Sequence, residues 1–198
     1  MIESIVKVRE MLYLLEFKIP EGLEFEQVQW GEIGMMADNA YKSNFSLRQS
    51  SGDFTNLPVL YEFCNNIREY QSNLLEYMWK DSKLFQTEWA GYTLEQLKLN
   101  TSTYCEACKD WPGFETGIHL DNRKTVTAGM VFFNQSQIEG KSTTFYNDTH
   151  GNYPMVMPCA FGQGWYSSNN SYSWHSGTNK TNDIRYSIKF GHQLTMAH

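Results

Sequence analysis

Apolar positions in the first hundred residues form one clear helical stripe. Leu60, Phe63, Cys64, Ile67, Leu74, Leu75 and Met78 recur at three-to-four spacing, which predicts an amphipathic helix from about Pro58 to Lys80. Pro58 belongs in the first turn of that helix, where a missing N–H costs little. Upstream, the apolar stretch from Met11 to Ile19 reads as extended chain. The helix is expected to back a sheet.

The pattern changes after about Leu97. Thr125 to Phe133, Ser142 to Tyr146, Tyr153 to Met157, Phe161 to Tyr166 and Ile184 to Phe190 are short β-like runs. Turn-forming clusters such as Asn147-Asp148 and Ser167 to Ser171 separate them. Many short strands at this spacing predict a sandwich or jelly roll. The fold class is therefore mainly β with N-terminal helices (α+β). No repeat or linker divides the chain, so residues 1–198 read as a single domain, with 1–100 as helical and strand scaffold and 101–192 as the β core.

Composition narrows the field. A chain of 198 residues that is 41% hydrophobic and 15% aromatic can bury a substantial core and is not disordered. Its formal charge of −6 argues against general nucleic-acid binding, which leans on Lys and Arg. No apolar run reaches the roughly 18 residues needed to span a bilayer, so no membrane association is expected. The opening Met1-Ile2-Glu3-Ser4 has no basic n-region or following apolar stretch, and a cytoplasmic setting is the expectation. Cys105-Glu106-Ala107-Cys108 is a lone CxxC without a second pair, so these read as ordinary reduced cysteines rather than a zinc clamp or a redox couple. Oligomeric state leaves no trace in the sequence.

The chemical content lies in His119-Leu120-Asp121 and, 54 residues beyond Asp121, His175. On extended chain, positions i and i+2 share a face, so His119 and Asp121 can reach one ion from the end of one strand. Two imidazoles and a carboxylate are the protein ligands of a non-haem Fe(II) centre that keeps open positions. An isolated HxD arises easily by chance, and His150, His192 and His198 have no such context and read as non-ligands.

Four flanking pieces give the HxD its weight. Lys109-Asp110-Trp111-Pro112-Gly113-Phe114 precedes it by five residues, and Lys124 follows it. Val131-Phe132-Phe133-Asn134 is similar to a "YLN" strand end, and Gly140-Lys141-Ser142-Thr143-Thr144-Phe145-Tyr146 to a "GGxTxFY" segment. Trp174-His175 is followed, ten residues after His175, by Arg185-x-Ser187. In this order, from about Tyr104 to Phe190, the chain resembles the 2-oxoglutarate- and Fe(II)-dependent oxygenases of the prolyl-hydroxylase type. That superfamily is built on a double-stranded β-helix, a cupin-like jelly roll.

The resemblance implies roles. His119, Asp121 and His175 would hold Fe(II). Arg185 would pair with the distal carboxylate of 2-oxoglutarate, and Ser187, on the same strand face, would donate a second hydrogen bond. Thr143 would lie close to the co-substrate. The implied reaction uses O2 and 2-oxoglutarate, releases succinate and CO2, and hydroxylates a C–H bond. An aspartate at position 121 argues against a halogenase, which needs that coordination position vacant.

The chain also departs from the pattern. Lys141 replaces the second glycine of the "GG" pair, and Trp111 and Phe132 stand where many relatives have tyrosines that contact 2-oxoglutarate. Neither ring carries a phenolic hydroxyl, which leaves Tyr104 or Tyr146 as substitutes. The substrate is a peptidyl side chain or a small molecule, with residues before 100 and the Ser167 to Ser171 loop expected to shape its pocket. Trp165, Tyr166, Tyr172 and Trp174 read first as packing and second as a stacking surface. Two other classes fit the same sequence: a cupin-like metal-dependent isomerase and a non-catalytic jelly-roll binding module. The first would give Arg185-x-Ser187 no purpose, and the second predicts no iron dependence.

Overall fold

The computed structural model describes residues 1–31, 47–134 and 141–195. The chain begins with a hairpin of β1 (Ile2–Arg9) and β2 (Leu12–Phe17), turned at Met11 with φ of 56°. After a 3-10 turn at Phe25–Gln27 comes the short strand β3 (Arg48–Ser51). The helices are α1 (Pro58–Asp81), α2 (Lys83–Glu88) and α3 (Leu94–Leu99), the last closed by a capping box between Thr93 and Gln96. The remaining strands are β4 (Thr101–Asp110), β5 (Phe114–Glu115), β6 (Thr125–Phe132), β7 (Lys141–Tyr146), β8 (Met155–Met157), β9 (Gln163–Ser168), β10 (Trp174–Asn179) and β11 (Arg185–Leu194).

Among the described residues the strands form two antiparallel sheets. The larger runs β1-β2-β9-β6-β11-β4-β3 and the smaller β5-β10-β7-β8. The two sheets pack face to face through Leu12, Met130, Phe132 and Trp165 from the large sheet and Phe145 and Met157 from the small one. On the outer face of the large sheet, α1 lays down Leu60, Phe63, Cys64, Ile67, Leu74, Leu75 and Met78 against residues such as Tyr166, Ile188 and Phe190. This is a mainly β jelly roll backed by a helix. The central strand β6 is buried at every position, because it is covered on both faces.

The helix spans Pro58–Asp81, one residue beyond the predicted end, with proline in its first turn. Each of the five predicted strand runs contains a strand. The pattern did not reveal β1, β3, β4, β5, β10, α2 or α3. Strand β10 reads Trp-His-Ser-Gly-Thr-Asn and β4 reads Thr-Ser-Thr-Tyr-Cys-Glu-Ala-Cys-Lys-Asp, so neither shows the apolar alternation of a half-buried strand. No described helix is long and apolar enough to cross a membrane.

Strands β6 and β9 approach so closely at Gly164 that a Cβ there would lie 2.2 Å from the carbonyl oxygen of Met130. Backbone cannot yield as a side chain does. Gly164→Ala is expected to destabilise the fold by about 1–3 kcal/mol or more, read as a lowered urea midpoint; an unchanged midpoint would contradict this packing.

Candidate metal centre

The loop that carries His119 and the start of β10 exchange both backbone hydrogen bonds at one position. His119 N donates to His175 O and His175 N donates to His119 O, each at 2.9 Å. This pairing sets the two imidazoles side by side, with ring centroids 4.5 Å apart. His119 Nδ1 lies 2.8 Å from the carbonyl oxygen of Gly117, and His175 Nδ1 lies 3.0 Å from that of Ser173. A carbonyl only accepts, so both Nδ1 atoms carry the proton and both Nε2 lone pairs are left for a ligand. This is the arrangement that orients metal-binding histidines. Phe145 and Trp165 pack around His175, at centroid distances of 5.5 and 6.0 Å.

Asp121 completes the set. One ligand atom each from His119, Asp121 and His175 lies within 4.8 Å of the others. Donors about 2.0–2.2 Å from one ion and about 90–110° apart lie roughly 2.8–3.6 Å from one another, so side-chain shifts of about an ångström bring this arrangement to ligation. No other group of three His, Cys, Asp or Glu residues among the described residues has this geometry. Asn169 fixes the loop: its side-chain oxygen accepts from Asp121 N at 3.0 Å, and its amide nitrogen donates to the carbonyls of Asp121, Asn122 and Thr125 at 3.0–3.3 Å. The Ser167 to Ser171 loop is thus engaged internally, with Ser167, Ser168 and Asn170 buried.

Burial drives the protonation states. Desolvation and the neighbouring His175 push the pKa of His119 down to about 4, and desolvation likewise lowers that of His175. Burial works to raise the Asp121 pKa, but the Lys189 ammonium, 3.0 Å away, and the two imidazoles more than offset it and hold the carboxyl well below the usual range. The three side chains therefore stand ready in their metal-binding forms, two neutral imidazoles and one carboxylate.

A polar strip leads away from this centre along the inner face of the large sheet. On β11, Lys189, Ser187 and Arg185 follow at two-residue steps. Their partners on β4 are Glu106, Cys108 and Asp110. Across the interior, β10 runs in step from His175 to Gly177, with Thr143 of β7 paired to Gly177. A Cβ on Gly177 would lie 3.9 Å from Arg185 Nη2, so glycine keeps space open beside the guanidinium. Four residues of strand put Arg185 roughly 13 Å from Lys189.

Arg185 is buried and already carries partners. Its Nε and Nη2 donate to Asp110 Oδ2 at 2.8 and 2.5 Å, and its Nη1 donates to Thr178 O at 2.9 Å. Arg48 Nε and Nη2 hold the same carboxylate at 2.5 and 2.8 Å. The rings of Phe114 and Phe132 flank the Arg185 guanidinium at 5.6 and 5.5 Å. The two guanidiniums on this carboxylate hold Asp110 ionised in spite of its burial. Ser187 Oγ, buried between this cluster and Lys189, has no hydrogen-bond partner among the described residues. Thr143 is buried as well.

The tyrosine question divides cleanly. Phe132 faces the interior, whereas Trp111 donates to Gln49 Oε1 at 2.9 Å and stacks under Lys109. Tyr146 hydroxyl lies 3.0 Å from Ser176 Oγ. The Tyr104 hydroxyl is buried without a partner among the described residues, on the same side of β4 as Glu106. Trp165 and Tyr166 are packing residues, and Tyr172 is half exposed. His192 is buried with Nδ1 2.9 Å from Thr127 Oγ1. All four cysteines are buried thiols outside any disulfide; Cys105 faces α1 while Cys108 sits on the opposite side of β4, so the CxxC does not converge. Gly140 of the glycine motif and His198 lie outside the described residues.

Sequence reasoning missed Lys189, Asp110, Arg48 and Asn169. Lys189 had a signal: it extends Arg185-x-Ser187 by one more two-residue step. The other three are fixed by long-range pairing that no local pattern carries.

No family model matches the sequence, and no curated protein matches it. Solved structures resemble the fold. A prolyl-4-hydroxylase from Pseudomonas putida superposes with a TM-score of 0.52 at 11% identity, over 75% of this chain and 73% of that one. A 2OG-Fe(II) oxygenase family oxidoreductase from Burkholderia pseudomallei gives 0.47 at 14% identity, over 92% and 66%. The viral collagen prolyl hydroxylase of Paramecium Bursaria Chlorella virus-1 gives 0.48 at 9% identity, over 75% and 79%. The chain thus shares the jelly-roll fold of the first of these.

Because His119, His175 and His192 are held neutral with pKa values below the unfolded 6.5, the folded state binds fewer protons than the unfolded one. Their contribution to stability is complete above about pH 6.5 and is lost as pH falls toward 4. The urea midpoint of the metal-free protein is expected to drop between pH 7.5 and 4.5, before ordinary carboxylates titrate fully. A flat profile over that range would contradict the neutral, buried histidines.

Proposed function

We propose that this protein is an Fe(II)- and 2-oxoglutarate-dependent dioxygenase that hydroxylates a C–H bond of a peptidyl or small-molecule substrate. One observation carries the reading: a His-Asp-His set with both Nδ1 atoms committed to carbonyls stands at one end of a strand-lined strip whose other end carries paired guanidiniums. The donor chemistry fits ferrous iron with open positions. The orphaned Ser187 hydroxyl and the space kept by Gly177 fit a carboxylate beside Arg185.

In this reading His119 and His175 hold the metal through Nε2 and Asp121 through its carboxylate. When bound, iron with 2-oxoglutarate and O2 supplies the oxidative chemistry, with succinate and CO2 released. The chain binds, orients and shields. Arg185, braced beside Arg48, pairs with the distal carboxylate of 2-oxoglutarate, while Ser187 and Thr143 offer hydroxyl donors to it. Asp110 fixes both guanidiniums in place, so the anchor is rigid before the anion arrives. Phe132, Phe145, Met130 and Trp165 exclude water from the interior.

The neighbour's name makes a prolyl residue in a peptide the first substrate class to test, with small molecules second. A cupin-like isomerase would need no acidic co-substrate, and a binding module would need no metal.

Purified protein with Fe(II), O2 and 2-oxoglutarate is expected to release succinate, faster in the presence of its substrate. His119→Ala or Asp121→Ala should remove that activity by at least about a hundredfold, a loss typical of removing a metal ligand. Arg185→Ala should raise the KM for 2-oxoglutarate at least about tenfold through loss of a buried charged partner. Succinate release that persists in the ligand variants would overturn the metal assignment, and an unchanged KM would move the anchor elsewhere.

A further inference from the structure

The metal-binding carboxylate has an unusual neighbour. Lys189 Nζ lies 3.0 Å from Asp121 Oδ1, and both side chains are largely buried, with relative exposures of 18% and 10%. Lys189 also stands opposite Glu106 in the β4–β11 register, and that negative charge acts on its ammonium together with Asp121. The lysine is therefore inside the jelly roll and one strand step from Ser187, not on a solvated surface.

Lys189 sits on the same carboxylate that would grip the metal. A divalent ion held by Asp121 would add two positive charges a few ångströms from the Lys189 ammonium, in a medium where like charges repel far more than in water. A dicarboxylate with one end beside the metal would offset that repulsion.

We propose that Lys189 is a positioning residue that couples metal and anion binding: its ammonium holds the Asp121 carboxylate in the metal-free protein, and its charge beside the bound ion makes metal retention depend on an anion bound next to it. This rests on the function proposed above. The consequence is ordered occupancy. The metal alone is held weakly, the anion alone finds only the Arg185 end, and the two together are held tightly. Such coupling is commonly 5- to 150-fold in affinity and acts equally in both directions.

The test is calorimetric titration of Mn(II), which does not react with O2, into wild-type, Lys189→Met, Lys189→Gln and Lys189→Arg proteins, each with and without saturating 2-oxoglutarate. In the wild type, 2-oxoglutarate is expected to tighten Mn(II) binding about tenfold or more. In Lys189→Met, Mn(II) alone should bind at least as tightly as in the wild type, and the tightening should shrink to less than about threefold. Lys189→Gln, which keeps a hydrogen-bond donor without charge, should behave like the methionine variant and stands in for it if that variant does not fold. Lys189→Arg should restore the coupling. Undiminished tightening in both uncharged variants would overturn this inference and leave the metal reading intact. So would weaker binding of Mn(II) alone with the tightening retained, which is the signature of mere support for Asp121. Absence of Mn(II) binding in the wild type even with saturating 2-oxoglutarate would overturn the metal reading and this inference with it.

Discussion

The pair of backbone hydrogen bonds between His119 and His175 is the constraint on which the site depends. It joins a loop after β5 to the first residues of β10, two stretches more than fifty residues apart, and so fixes the separation of the two imidazoles. Each histidine then loses its rotational freedom to a carbonyl two residues upstream. The chain thus positions both candidate nitrogen ligands with main-chain atoms, which are insensitive to substitution. The carboxylate is left to a loop tied down by one asparagine side chain, Asn169. This makes the aspartate the adjustable member of the three, and it is the member that Lys189 touches.

Inside the jelly roll, the charges that ought to be costly are arranged so that none stands alone. Removing a charge from water is expensive unless a partner and further hydrogen bonds replace the solvent. Asp110 takes four hydrogen bonds from two guanidiniums, and Arg185 has a backbone carbonyl besides. Two of the buried polar atoms without a partner among the described residues, the hydroxyls of Ser187 and Tyr104, lie on the same inward-facing surface of β4 and β11. Isolated polar atoms in a dry interior are rare, and these two face the space a polar ligand would occupy.

What could be read in the sequence follows from the same division. The helix and the five strand runs were legible because their apolar faces are built by water exclusion, which imprints a period on the chain. Strands β4 and β10 were not, since their inward faces carry Asp110, Glu106, His175 and Asn179 in place of Leu or Val. The strands that bear the chemistry are those with the weakest hydrophobic signature. The triad was visible through spacing and order; the distance between His119 and His175 was not, being set by a cross-chain pairing. Arg185 and Ser187 were visible through two-residue alternation, and the same step carried once more reaches Lys189. The sharing of Asp110 between Arg185 and Arg48 depends on β3 docking against β4, which no local pattern announces. A charge expected to wait for a co-substrate is consequently found already braced by its own chain.

One ferrous ion is expected to bind where these three side chains meet. Anaerobic equilibrium dialysis of Fe(II) against the wild type and Asp121→Ala, both in saturating 2-oxoglutarate, measures this directly. One ion retained per wild-type chain, and none per variant chain at the same free iron, is the result predicted. No retention by the wild type, or equal retention by both proteins, would contradict it.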